Sequence, residues 1–297
     1  MAALPLLLLA GLQAPDALPP APPRLEFTSK PLAVPFACSE ETLEPLGLAC
    51  TEQEPCAVFL ELAALEVVGS SIFLTGNLHS DSQTYSSILL ASEDGGKTWR
   101  EATPRIPLAI LDGIQFVDFA HGFAAGQILG QLPRDPFFLV TSDGGKTWNR
   151  RPLFEESRVG AIDSFYFENR MEGTLILDRT RGGEANAKYE VYETKTGGDT
   201  WMLREVLARQ PKLKKQKPPL TEFRLRADAA TRSYRLEQLK NTRWALVASF
   251  EIRLADCKLA AEALAPPPEP EPAPEPPPPP PGARTPAAKP PTLKKKR

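Results

Sequence analysis

The sequence predicts an all-β fold assembled from a repeated four-stranded unit. Three observations predict it: an eight-residue motif recurs, the flanking segments alternate in strand-sized lengths, and the tryptophans fall at nearly even intervals. The motif reads SEDGGKTW at residues 92–99, TSDGGKTW at 141–148 and TKTGGDTW at 194–201. Trp99, Trp148 and Trp201 lie 49 and 53 residues apart, and Trp244 follows 43 residues later in the degenerate segment EQLKNTRW. A period of that size, with about four short strands per repeat, is the mark of a propeller blade. The predicted architecture is a β-propeller of four to five four-stranded blades, followed by a disordered proline-rich C-terminal tail.

The strands are read in order. The first repeat offers LEVVGSSIFLTGN and SSILLAS before its motif. The second offers IQFVDF, GFAAGQ and FFLVT, with a shorter strand running from Trp148 into Leu153. The third offers SFYFEN, GTLILD and KYEVYET before the motif and MLREVL after it; the last offers FRLRAD, SYRLEQL and WALVASFEI. Each motif is expected to be the hairpin between the third and fourth strands of its blade. Glycines, among them Gly96, Gly145 and Gly198, supply the positive φ that a tight turn needs. Asp94 and Asp143 can accept from turn amides that have no ladder partner. Ser92, Thr98, Thr141, Thr147 and Thr200 add hydroxyl groups, while Trp99, Trp148 and Trp201 return into the apolar layer between blades. Thr196 stands where the aspartate should be in the third copy, so that turn is expected to be less well fixed.

The motif S/T-x-D-x-G-x-T-W resembles the Asp-box, or BNR, repeat of sialidases, sortilin-type receptors and photosystem II assembly and stability factors. The run IQFVDFAHGFAAGQ followed by FFLVTSDGGKTW is most similar to the assembly-factor group. The resemblance covers residues 56–256 and implies a propeller, with a protein-binding or assembly role as one expectation. Arg105 and Ile106 in PRIP are similar to the Arg-Ile-Pro signature of sialidases, but here they follow the first motif rather than precede it. A sialidase-like glycoside hydrolase would need an arginine triad, a tyrosine–glutamate pair and an acidic acid/base. None of the five tyrosines is placed beside a convincing glutamate, so no catalytic residue is assigned; a carbohydrate-binding module is the other alternative.

Composition narrows the rest. A net charge of -2, from 35 basic and 37 acidic residues, argues against a nucleic-acid binder driven by bulk charge. Two histidines, His79 and His121, exclude a histidine-rich metal site, and no cofactor or metal is expected. Residues 1–12, MAALPLLLLAGL, have the length of a signal-peptide apolar region, too short for a membrane span. Residues 1–23 are therefore read as a signal peptide with a proline-rich leader, and the protein as exported, periplasmic or extracellular. Residues 24–57 are read as a closing strand plus a cysteine-containing loop, 58–257 as the propeller and 258–297 as the tail.

Cys38, Cys50, Cys56 and Cys257 allow three disulfide pairings. Cys38 with Cys50 and Cys56 with Cys257 is the favoured set, the second pair tying the start of the globular region to its end. Residues 24–36 are expected to add an edge strand to the last blade; an incomplete ring would leave oligomerisation as the alternative. Two basic features are binding candidates for a protein partner: Lys214 and Lys215 in the loop PKLKKQKPP, and Arg224 and Arg226, which strand alternation places on one face of the last blade. Fifteen prolines between Pro266 and Pro291 make an extended tail whose basic end, residues 294–297, could touch an anionic surface.

Overall fold

The structure is a computed structural model and describes residues 23–182, 188–252 and 256–258. The leader assigned to residues 1–23 and the tail assigned to 258–297 lie almost wholly outside the described residues. The chain enters through two short strands, β1 (Leu25–Glu26) and β2 (Leu32–Val34), a one-turn helix α1 (Glu40–Leu43) and β3 (Cys56–Ala57).

Four antiparallel sheets follow. The first blade consists of β4 (Phe59–Val68), β5 (Ser71–His79), β6 (Thr84–Ser92) and β7 (Thr98–Glu101). The second consists of β8 (Ala109–Phe116), β9 (Gly122–Leu129), β10 (Pro133–Thr141) and β11 (Asn149–Pro152). The third is built of β12 (Ala161–Phe167), β13 (Gly173–Asp178), β14 (Tyr189–Thr194) and β15 (Met202–Leu207). The fourth has β16 (Phe223–Asp228), β17 (Ser233–Lys240) and β18 (Arg243–Ile252), and takes β2 as its outer strand. A final short strand, β19 (Asp256–Cys257), pairs with β3. The fold is a β-propeller.

The N-terminal segment pairs with both the first and the fourth blade, through two strands. Leu32, Ala33 and Val34 run parallel to Phe250, Glu251 and Ile252, which completes the fourth blade. Leu25 and Glu26 pair with Trp99 and Thr98 and so add a fifth strand to the first blade.

The disulfides correct the favoured pairing. Cys38 bonds to Cys257 and Cys50 to Cys56. The reason lies in β2: by docking on β18 it delivers Cys38 to the end of the chain. Thr51 N–H meanwhile donates to Glu54 O, and that turn folds Cys50 back onto Cys56. Cys56 and Cys257 are opposite one another in the β3–β19 ladder, so the expected proximity is present while the bond goes elsewhere.

Packing orders the blades as a row. Trp99, Ile72, Leu74, Ile88 and Leu90 of the first blade form one apolar cluster with Leu236, Ala248 and Phe250 of the fourth. Phe73, Leu89 and Ala91 on its other face join Leu111, Ala124, Phe137 and Leu139 of the second. Phe123, Phe138 and Val140 of the second then meet Phe167, Leu175 and Leu177 of the third, with Phe123 and Phe167 stacked at 3.5 Å. Among the described residues no apolar cluster joins the third blade to the fourth.

Polar bolts repeat at the junctions that do form. Gln115 donates from Nε2 to Phe167 O at 2.8 Å and accepts from Phe167 N at 2.9 Å, crossing from the second blade to the third. Glu66, the matching residue one blade earlier, has the Phe116 backbone N–H beside it, which works against the upward push of burial on its carboxyl. On the perimeter Arg100 donates to Gly145 O and Arg151 to Gly197 O, each reaching the turn of the next blade. Gly145 is needed for packing as well as for its φ of 83°: a Cβ there would lie 2.4 Å from the Phe73 ring of the first blade.

Candidate functional site

The recurring turns are self-contained hydrogen-bond cages. Asp94 accepts from Ser92 Oγ at 2.9 Å, Lys97 N at 3.0 Å, Thr98 N at 2.9 Å and Thr98 Oγ1 at 2.7 Å. Gly96 N donates to Ser92 Oγ, and the Trp99 indole N–H donates back to Gly96 O. Asp143 repeats the set with Thr141, Lys146 and Thr147, and Trp148 donates to Gly145 O. Partial burial pushes these carboxyls upward, but the donors outweigh it and hold both Asp94 and Asp143 at about 2. In the third turn Thr196 Oγ1 accepts from Thr200 N and bonds the Thr200 hydroxyl, while Gly198 N donates to Thr194 Oγ1. Trp201 Nε1 is buried there without a hydrogen-bond partner.

Every acceptor site of these aspartates is aimed at its own turn, which makes them stability elements. Asp143→Ala is expected to lower folding stability by about 1 kcal/mol, the size of a lost side-chain cap. The folded carboxyl titrates at about 2 against 3.8 unfolded, so its contribution is complete above 3.8 and fades as the pH falls toward 2. Denaturation of both proteins at pH 7 and pH 2 checks this; a gap that does not narrow in acid would contradict it.

Trp244 corrects the tryptophan register. Lys240 and Arg243 face each other across a two-residue hairpin, with Asn241 at φ 47° and Thr242 at φ 72°. Both central residues have positive φ, as in a type I′ turn. Trp244 therefore begins the third strand of its blade, whereas Trp99 lies in a fourth strand. Trp99 is 1% exposed and Trp244 is 36% exposed: the fourth tryptophan is not committed to packing.

Sequence reasoning missed a tyrosine–glutamate–arginine cluster in the third blade. Tyr192 Oη donates to Glu190 Oε2 at 2.7 Å, while Arg158 Nη2 and Arg179 Nη1 each donate to Glu190 Oε1 at 2.9 Å. The signal was present, since residues two apart on a strand share a face. Glu190 is 3% exposed, and Phe154 packs between Tyr192 and the Arg158 guanidinium. Burial, and then the Glu190 hydrogen bond and charge, push the Tyr192 hydroxyl well above its ordinary value of 10. A phenolate nucleophile needs the opposite shift and access to substrate.

A cavity of about 420 Å³ opens between the first strands of the first three blades, lined by Asp112, Gln115, Asp163, Ser164 and Lys217 among others. Asp112 and Asp163 occupy equivalent bulges, between Leu111 and Gly113 and between Ile162 and Ser164. Burial pushes Asp112 up to about 6, against the hydrogen bond from Gln127. Lys217 fills one side of the cavity, paired to Glu66 and to Leu65 O. The loop carrying Lys217 also holds Lys214 and Lys215; both are exposed, Lys215 pairs with Glu168 at 2.7 Å, and the loop lies over the outer face of the third blade beside Tyr166, Ile176 and Arg204. Among the described residues no cluster of three or more His, Cys, Asp or Glu could hold a metal ion, and no helix is long and apolar enough to cross a membrane.

The fourth blade carries the remaining candidates. Its ladders pair Arg226 with Arg235 and Arg235 with Ser249, then Arg224 with Glu237 and Glu237 with Leu246, then Leu239 with Trp244. Directly opposed residues share a face, so Arg224, Arg226, Arg235, Glu237, Leu239, Trp244 and Leu246 lie together. The other face, with Leu225, Leu236 and Phe250, is the one packed on the first blade. Arg224 stacks on the Trp244 ring at 4.0 Å and donates to Glu237 Oε2. Arg235 Nε is 3.6 Å from Glu237 Oε1, too far to bond, and has no hydrogen-bond partner. Leu239, Trp244 and Leu246 are all exposed. This is a sheet face at the end of the row, and among the described residues no blade lies upon it. Lys214 and Lys215 are not part of it.

No family model matches the chain, and no curated protein sequence matches it. Among solved structures it is similar to YCF48 bound to D1 peptide, at 16% identity over 67% of this chain and 60% of that one, with a TM-score of 0.37. It is also similar to the GH74 xyloglucanase from Xanthomonas campestris, at 14% identity over 47% of this chain and 19% of that one, with a TM-score of 0.34. The likeness concerns fold alone. The chain spans less than two thirds of the length of either structure.

Proposed function

We propose that the protein is an exported, non-catalytic propeller of the Asp-box group that works by binding another protein. One observation carries the reading: the end face of the fourth blade exposes Trp244, Leu239 and Leu246 beside three arginines, where an interior blade would present buried apolar side chains. Aromatic and arginine side chains on a preformed surface are the usual anchors of protein interfaces. Support for export comes from the pairing of all four cysteines as disulfides, which persist in oxidising compartments, and from the apolar residues 1–12. Support for a non-catalytic role comes from the sealed Glu190–Tyr192 pair.

The test is photocrosslinking in the producing cell, with benzoylphenylalanine placed at Leu246 or, as a control, at the exposed Lys146. A discrete, protease-sensitive adduct from position 246 alone is expected. Adducts of equal yield from both positions, or none from either, would overturn the reading.

A further inference from the structure

We infer that the end face of the fourth blade binds an extended acidic segment of the pattern apolar-x-acidic-x-acidic, laid along β18. The inference rests on the protein-binding reading above and names the chemistry of the partner.

The face is graded from one end to the other. Its far row holds Leu239 and Trp244, the next Arg224, Glu237 and Leu246, the third Arg226, Arg235 and Ser249, and the last Asp228, Ser233 and Glu251. Successive same-face rows of a strand lie about 7 Å apart. An apolar pocket edge therefore stands one row from the first guanidinium and two rows from a second pair. An extended peptide repeats its own same-face side chains at the same spacing of about 7 Å. With an apolar side chain set on Leu239 and Trp244, its residues two and four positions on meet the arginine rows.

Charge decides what those residues are. Within the face Glu237 is shared by two guanidiniums: its Oε2 takes Arg224 at 2.7 Å, and Arg235 is left at 3.6 Å from Oε1. Arg226 is exposed and lies opposite Arg235, a like-charge cross-strand pair that is unfavourable by itself. A carboxylate between Arg226 and Arg235 relieves that repulsion and can accept from both forks. Arg224, held over Trp244, keeps the indole fixed as a platform. A neighbouring blade of this chain's usual apolar composition would bury these charges unpaired.

The experiment is fluorescence anisotropy of the full chain with fluorescein-labelled peptides that repeat Leu-Ser-Glu-Ser-Glu. Three comparisons are made: the lysine version, a version with the glutamates moved by one position, and single-stranded oligothymidine. The inference expects the glutamate peptide to bind at least tenfold more tightly than the other three, and more weakly as salt is raised. Arg226→Ala and Trp244→Ala should each weaken binding at least fivefold with the melting temperature preserved, while Arg170→Ala, on a distant hairpin, should leave it unchanged. Equal binding of the glutamate and lysine peptides, tighter binding of oligothymidine, or indifference to Arg226→Ala would overturn the inference. If no peptide binds while position 246 still crosslinks to a protein, the acidic chemistry is wrong and the protein-binding reading stands.

Discussion

Replacing Cys38 and Cys257 together by serine is expected to lower folding stability by about 5 kcal/mol, the loop-entropy value for a bridge spanning more than 200 residues. The two cysteines are 219 residues apart, and the bond reinforces the three-pair ladder that sets β2 against β18. Losing it frees the N-terminal segment, and with it Leu32, Val34 and Leu43, from the cluster around Trp99 and Phe250. Replacing Cys50 and Cys56 should cost about 2 kcal/mol, since that bridge closes a loop of only 6 residues. Denaturant unfolding of the two double variants without reductant checks the difference. Equal losses would mean that the long bridge does not constrain the chain in this way.

The second large effect belongs to Glu190. Glu190→Ala removes a buried carboxylate that receives Arg158, Arg179 and the Tyr192 hydroxyl. Deleting one partner of a buried ionic cluster typically costs about 3–5 kcal/mol, because the cluster loses a buried charge that its other members were paired with. Tyr192→Phe should cost less, about 1.5–3 kcal/mol, since it removes a single hydrogen bond to a charged group. Paired denaturation curves separate the two, and a Glu190→Ala protein of ordinary stability would contradict the description of this cluster as a buried ionic network.

The blades were legible in the sequence because their information is local. Eight consecutive residues specify the cage around Asp94 or Asp143, and strand alternation around them needs only a two-residue period. Trp244 misled for the same reason: KNTRW has the ending of the motif, yet Asn241 and Thr242 close a two-residue hairpin and shift the tryptophan to a third strand. Disulfide pairing was not legible, since it depends on β2 docking against residues more than 200 positions away. Glu190 and Tyr192 were adjacent on one strand face in plain view, but Arg158 and Arg179 reach them from other elements. Arg224 and Arg226 were placed on one face by alternation, and the ladder agrees. That among the described residues this face has no neighbouring blade follows from the order of packing, which no local pattern contains.

The central claim is that the row of blades ends in an open face around Trp244. Hydroxyl-radical footprinting of the native chain, read by mass spectrometry at each tryptophan, tests it directly. The account predicts that Trp244 is oxidised many times faster than Trp99, whose ring is packed edge-on against Phe250 at 4.9 Å. Protection of Trp244 equal to that of Trp99 would place another element over the face and contradict the claim.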